Sequence, residues 1–344
     1  MVEYTSSFGQ RLPSKNRASR QGALNCVDAA LRQNLLKWTF HVLEKKMFDQ
    51  RMFLEVGHVD TRKEPKASDL VFINLTGGWG RGPECDAEVE VLAHTMGDQG
   101  VEIVNVSLPG HGRSTNLPGG WENKEGQNPF DQSGEIISQF IRENYRDNEA
   151  FKKDKLQRKV ILTAWSMGGV TVLKMAAKHP ELIAGVVLMD TPVFPTNFRK
   201  LVSRFVNYGI RPKDIKPEEK VPDSFKKPGL KIFLNRIRDR NKPDGMPFGI
   251  VRATVERLSE QNLEEDGTLL GISENKIPVL VLHGQNDHVV PKKQILDLEN
   301  CIRNMGGNVN RIEIPEAGHG LPAEKPKEVG LTISNWLKER KLSS

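Results

Sequence analysis

The chain has 344 residues, 37% of them hydrophobic and 27% charged, and carries a net charge of +6. That length suits one large domain with an insertion, and the composition is that of an ordinary soluble globular protein. The apolar runs, such as 186–189, are too short to cross a bilayer. Cys26, Cys85 and Cys301 are far apart and odd in number, which points to a reducing, cytoplasmic setting rather than a disulfide framework. None of the three has metal-site spacing with a neighbour.

Residues 1–20 are polar and basic, with Arg11, Lys15, Arg17 and Arg20 opposed only by Glu3. They predict a surface arm, with an organellar import leader as the competing reading; the pattern of a secretory signal is missing. From 23 to 47, Leu24, Val27, Leu31, Leu35, Trp38 and Val42 recur every three or four residues, which predicts an amphipathic helix. A first strand follows over 52–59, and then a charged loop.

From Leu70 onward, strands and helices alternate. Strands are predicted at 71–75, 101–106, 160–162, 183–189, 278–282 and 309–314. Helices are predicted at 84–96, 134–148, 170–178, 291–305 and 323–339. Such alternation implies a mostly parallel sheet covered on both faces. It is interrupted over 193–276, which contains helical patterns near 198–206, 225–238 and 248–258. A structureless loop of that length is implausible, so an inserted helical cap is expected. The domain division is therefore an N-terminal 1–60, a core of 61–192 with 277–344, and a cap of 193–276. Within 197–242 there are 14 Lys and Arg against 5 Asp and Glu.

The chemistry centres on KVILTAWSMGG at 159–169, a buried-strand run that turns sharply into a helical pattern around Ser166. A strand, a small-x-Ser-x-small turn and a helix together make a nucleophile elbow, with the helix's positive end aimed at the hydroxyl. The backbone N–H of Met167, the next residue, is a candidate oxyanion donor. A serine hydroxyl needs a base to take its proton. Of eight histidines, His319 lies in AGHG at 317–320, just past the last predicted strand, where an open α/β sheet puts its site.

On these residues the chain resembles the α/β-hydrolase superfamily, nearest to the cap-bearing esterases and lipases of the monoglyceride-lipase and proline-iminopeptidase kind. The elbow departs from the usual pattern, with Ala164 and Trp165 where Gly and often His stand. The resemblance implies an α/β-hydrolase fold, a mostly parallel sheet flanked by helices, with the helical cap after the sixth strand. HGQNDHVVP at 283–291 is similar to the families' H-G-x-x-D-x-x-V-P signature, which makes Asp287 the acid. Asp190, at the end of the sixth strand, is the rival position. TGGW at 76–79 stands where relatives carry an oxyanion loop, and two registers are open, with either Gly78 or Trp79 as second donor. SLPGHGRS at 107–114 resembles a scaffold stretch of the same families.

The resemblance implies a serine hydrolase that cleaves carboxylic esters through an acyl-enzyme. Thioester, amide or carbon–carbon bond hydrolysis, acyl transfer, or ligand binding without catalysis are the alternatives on the same fold. No cofactor, metal, nucleic acid or transmembrane segment is called for. The expected partner is a small ester substrate, with an acidic carrier or lipid surface drawn to the basic cap.

Overall fold

Val160, Ile161 and Leu162 have no exposed surface, and the same holds for Val186, Val187 and Leu188 and for Val279, Leu280 and Val281. Branched runs buried on both faces belong at the centre of a parallel sheet. The computed structural model describes residues 36–43, 52–60, 70–75, 92, 95, 101–112, 114–122, 127–146, 158–197, 199–201, 204 and 248–342. Its strands are β1 (Leu36–Leu43), β2 (Met52–Asp60), β3 (Leu70–Leu75), β4 (Glu102–Val106), β5 (Lys159–Trp165), β6 (Gly185–Met189), β7 (Pro278–Gly284) and β8 (Asn308–Ile314). They form one eight-stranded sheet in the order β1-β2-β4-β3-β5-β6-β7-β8. β2 runs antiparallel to both β1 and β4, and every other neighbouring pair is parallel.

The α-helices with described bounds are α1 (Pro129–Ile141), α2 (Gly168–Lys178), α3 (Phe248–Glu260), α4 (Thr268–Glu274), α5 (Lys292–Asn304), α6 (Leu321–Glu324) and α7 (Pro326–Glu339). Successive strand residues point to opposite faces, and the core is accordingly double. Val71, Ile73, Leu162, Leu188 and Val281 pack with α1, α2 and α5 on one face. Phe72, Ile161, Val187 and Leu280 pack with Val329, Ile333 and Trp336 of α7 on the other. This is the layered α/β architecture that the alternation predicts.

The structure corrects the N-terminal reading. Residues Leu36–Leu43, expected in the helix over 23–47, form β1 and pair with β2 along their whole length. Trp38, Phe40 and Val42 alternate with Lys37, Thr39 and His41, a period of two as well as of four. Aromatic and β-branched residues favour the extended form, and the open edge of β2 supplies the hydrogen bonds. Residues 23–35 lie outside the described residues.

α1 starts at Pro129, five residues before the predicted helix. Asn128 caps it by accepting the Phe130 N–H at 2.9 Å, and Pro129 fills the first position, where no N–H is needed. A π turn at Arg142–Arg146 extends it.

Within the segment inserted after β6, the expected helix near 248–258 is α3, and α4 is a helix that the patterning missed. Gly271 of α4 lies so close to α2 that a β-carbon there would stand 3.0 Å from that of Ala177. The insertion's return is tied to its exit, since Leu263 N–H donates to Val193 O at 3.2 Å and Thr196 N–H to Ser259 O at 3.0 Å. The pattern near 225–238, and nearly all of the basic run, lie outside the described residues. Among the described residues no helix is long and apolar enough to cross a membrane.

Candidate active site

β5 delivers Ser166 to the carboxyl edge of the sheet, and α2 starts two residues later. The turn between them forces Ser166 to φ 53°, a left-handed conformation that costs a residue with a side chain on the order of 1 kcal/mol or more. Neighbours hold it there. Ser166 N–H donates to Met189 O at 2.7 Å, and Gly169 N–H donates to Ser166 O at 3.1 Å. A β-carbon at Gly169 would collide with Thr191, so only glycine lets α2 approach the end of β6 this closely.

His319 arrives from the loop after β8, and Asp287 from the loop after β7. His319 Nε2 lies 3.0 Å from Ser166 Oγ, and His319 Nδ1 lies 2.9 Å from Asp287 Oδ2. With Nδ1 donating to the carboxylate, Nε2 is left to accept the serine proton. The other Asp287 oxygen, Oδ1, accepts the N–H groups of Val289 at 2.7 Å and Val290 at 3.0 Å. All three side chains are at least nine-tenths buried. Gly284 allows the two loops to meet, because a β-carbon there would stand 2.7 Å from the Ala317 carbonyl oxygen.

Burial alone would push the Asp287 carboxyl up, but the His319 charge, its hydrogen bond and the two N–H groups outweigh burial and hold it below the ordinary carboxylate value. Burial likewise disfavours the charged His319 ring. The charge and hydrogen bond of Asp287 overcome this and raise its pKa above 6.5.

Asp190, the rival acid, directly follows β6 at φ 49°, and it is Asp287 that meets the imidazole Nδ1. Asp190 Oδ1 accepts the Gly284 N–H at 2.9 Å and His283 Nδ1–H at 3.0 Å.

Two residues that hold His319 escaped the sequence reading. The Trp165 indole N–H donates to His319 O at 2.6 Å, and its ring lies 5.4 Å from the imidazole. Glu324 accepts the N–H of Gly318 at 2.6 Å and of Gly320 at 3.0 Å, one on each side of His319. The only sequence hint was Trp165 itself, a large residue where the elbow pattern often has His. Met167, on the other side of Ser166, is buried and immediately precedes α2. Gly78 and Trp79 lie outside the described residues.

The stretch 107–114 serves as scaffold around Glu55. Ser114 Oγ accepts Glu55 N–H at 2.9 Å and donates to Ser107 O at 2.9 Å. Asp190, His283 and Asp287 each bring one possible ligand atom within 4.8 Å of the others. A cation there would compete with His319 for Asp287. A separate cleft of about 390 Å³ lies between α1, α2 and α4. There Lys174 is locked between Asp131 at 3.1 Å and Asp266 at 2.5 Å, and the lining has no activated nucleophile.

Residues 71–326 match the family described as the alpha/beta hydrolase fold. The chain is 26% identical over 185 residues to a 2-hydroxy-6-oxo-6-(2'-aminophenyl)hexa-2,4-dienoic acid hydrolase of Metapseudomonas resinovorans, over 53% of this chain and 61% of that protein. A thermophilic esterase from Thermogutta terrifontis superposes with a TM-score of 0.56 at 19% identity, over 90% of this chain and 100% of that one. A bromoperoxidase from Bacillus anthracis superposes with a TM-score of 0.57 at 16% identity, over 87% and 100%. At these identities the two solved structures speak to the fold alone.

Proposed function

The chain belongs to the α/β-hydrolase fold family, and we propose that it cleaves carboxylic esters through an acyl-enzyme on Ser166. The observation that carries this reading is the unbroken line from Ser166 Oγ to His319 Nε2 at 3.0 Å and from His319 Nδ1 to Asp287 Oδ2 at 2.9 Å. In the first half-reaction Oγ attacks the ester carbonyl carbon while His319 Nε2 takes its proton. The oxyanion is met by the Met167 N–H, with Gly78 or Trp79 as second donor. As the carbon–oxygen bond breaks, Nε2 returns the proton to the departing alcohol. In the second half-reaction His319 deprotonates a water that attacks the acyl carbon, releasing the acid and restoring Ser166. Asp287 stays ionised throughout and stabilises the imidazolium.

The match to the M. resinovorans hydrolase favours a second reading, a 2-hydroxy-6-oxo-dienoic acid of the kind in that protein's name. Short and long p-nitrophenyl esters assayed beside such an acid separate the two substrates. A fluorophosphonate probe should label Ser166, and Ser166→Ala should lose the label together with roughly 10⁶ in kcat. Labelling of the alanine variant would overturn the nucleophile assignment.

A further inference from the structure

Asp190 is a carboxyl with no exposed surface, beside a second buried carboxyl, and it is not in the line that activates Ser166. Its Oδ1 has two donors, Gly284 N–H at 2.9 Å and His283 Nδ1–H at 3.0 Å. Its Oδ2 is buried and has no hydrogen-bond partner among the described residues when both carboxyls are treated as acceptors. A carboxylate oxygen of Asp190 lies within 4.8 Å of one of Asp287. A buried oxygen with no donor facing it is costly as an anion and far less so if it carries a proton that a neighbouring acceptor takes. The two donors on Oδ1 mark that oxygen as the carbonyl, which leaves Oδ2 for the proton.

We propose that Asp190 is held as the neutral acid and donates from Oδ2–H to the Asp287 carboxylate, so that the two buried carboxyls share one negative charge. Asp190 is then a positioning residue. It steadies Asp287 while its own Oδ1 is anchored on the end of β7 at His283 and Gly284. The inference rests on the serine-hydrolase reading only for its consequence in turnover.

The surrounding charges are consistent with it. Burial first, and then the Asp287 charge, push the Asp190 carboxyl well above the ordinary range, and His319 and the Gly284 N–H oppose them without prevailing. Burial chiefly lowers the His283 ring below its ordinary pKa, with Arg311 and Lys292 acting the same way and Asp287 and Glu313 opposing it. Glu324, which accepts the N–H groups on either side of His319, also favours its charged ring. When His319 becomes an imidazolium during turnover, it meets a single carboxylate charge in the pair rather than two.

Infrared spectroscopy on protein with carbon-13-labelled aspartate tests the assignment without needing activity. At neutral pH the wild-type protein and Ser166→Ala should both show the C=O band of a protonated aspartic acid. Asp190→Asn should lack it. The asparagine amide keeps both the acceptor and the donor, so Asp190→Asn should retain kcat/KM to within about threefold, whereas Asp190→Ala should lose tenfold or more. The acid limb of the kcat/KM profile should stay in place in Asp190→Asn, because no charge has been removed. A missing band in the wild-type protein overturns the proposal, even if Asp190→Asn fails to fold. So does an acid limb moved to lower pH in Asp190→Asn, since that marks loss of a charge beside His319. Activity lost to a chelator, with no band, means a cation occupies the cluster. A band without fluorophosphonate labelling sinks the serine reading and leaves the pair intact; labelling without a band does the reverse.

Discussion

Glu102 opens β4 at the amino edge of the parallel strands, Asp190 directly follows β6 at their carboxyl edge, and both are buried carboxyls. Glu102 is surrounded by donors. Tyr145 Oη–H donates to it at 2.9 Å, His58 Nε2 at 2.7 Å, and the Arg158 guanidinium pairs with its second oxygen. Arg158 also stacks over the Tyr145 ring, 5.9 Å from its centre. Asp190 instead has a second carboxyl as its neighbour and a left-handed backbone beneath it. At the amino edge both Glu102 oxygens meet donors. The carboxyl edge keeps like groups together and residues strained, a pattern that clusters at functional sites.

The strongest way to break this contrast is Asp287→Asn. Neutralising the acid that orients His319 should cost roughly 10⁴ in kcat while the thermal midpoint moves little. A large loss of stability with modest loss of rate would place Asp287 with Glu102, as a structural charge. Arg158→Met asks the converse question at the other edge. It strips Glu102 of its cation and should lower unfolding free energy by about 3–5 kcal/mol in a urea titration, with kcat per folded molecule unchanged. The smallest effect sharpens the comparison within the site. Trp165→Phe keeps an aromatic ring beside His319 but loses the indole donor to its carbonyl, a neutral hydrogen bond worth about 1 kcal/mol. A roughly fivefold to tenfold fall in kcat at constant KM is expected; a change confined to KM would make Trp165 a substrate contact instead.

The grouping of Ser166, Asp287 and His319 is legible in the sequence because each lies in a short signature at the end of a strand. Local pattern reports local structure, and the parallel sheet then brings the strand ends together. Features that depend on distant partners are not legible in this way. Trp165 reaches a carbonyl 154 residues away, and no spacing announces it. β1 fits a helical period nearly as well as a strand period, and only its pairing with β2 decides between them. α4 is seven residues long, too short for periodicity to separate it from a loop, and is fixed by its contact with α2. Asp190 could be named from sequence as a possible acid, but which of two aspartates meets the imidazole is set by the folded loops.

The fit of Thr191 over Gly169 has a mechanical consequence. Thr191 begins the path out of β6 into the inserted segment, and Gly169 is the second residue of the helix that carries the elbow. No slack separates them, since the space for even one methyl group on the glycine is already filled. The insertion's exit and return are hydrogen-bonded to each other at Val193 and Thr196, two and five residues beyond Thr191. A displacement of those paired ends would therefore meet the Ser166 turn through atoms already in contact.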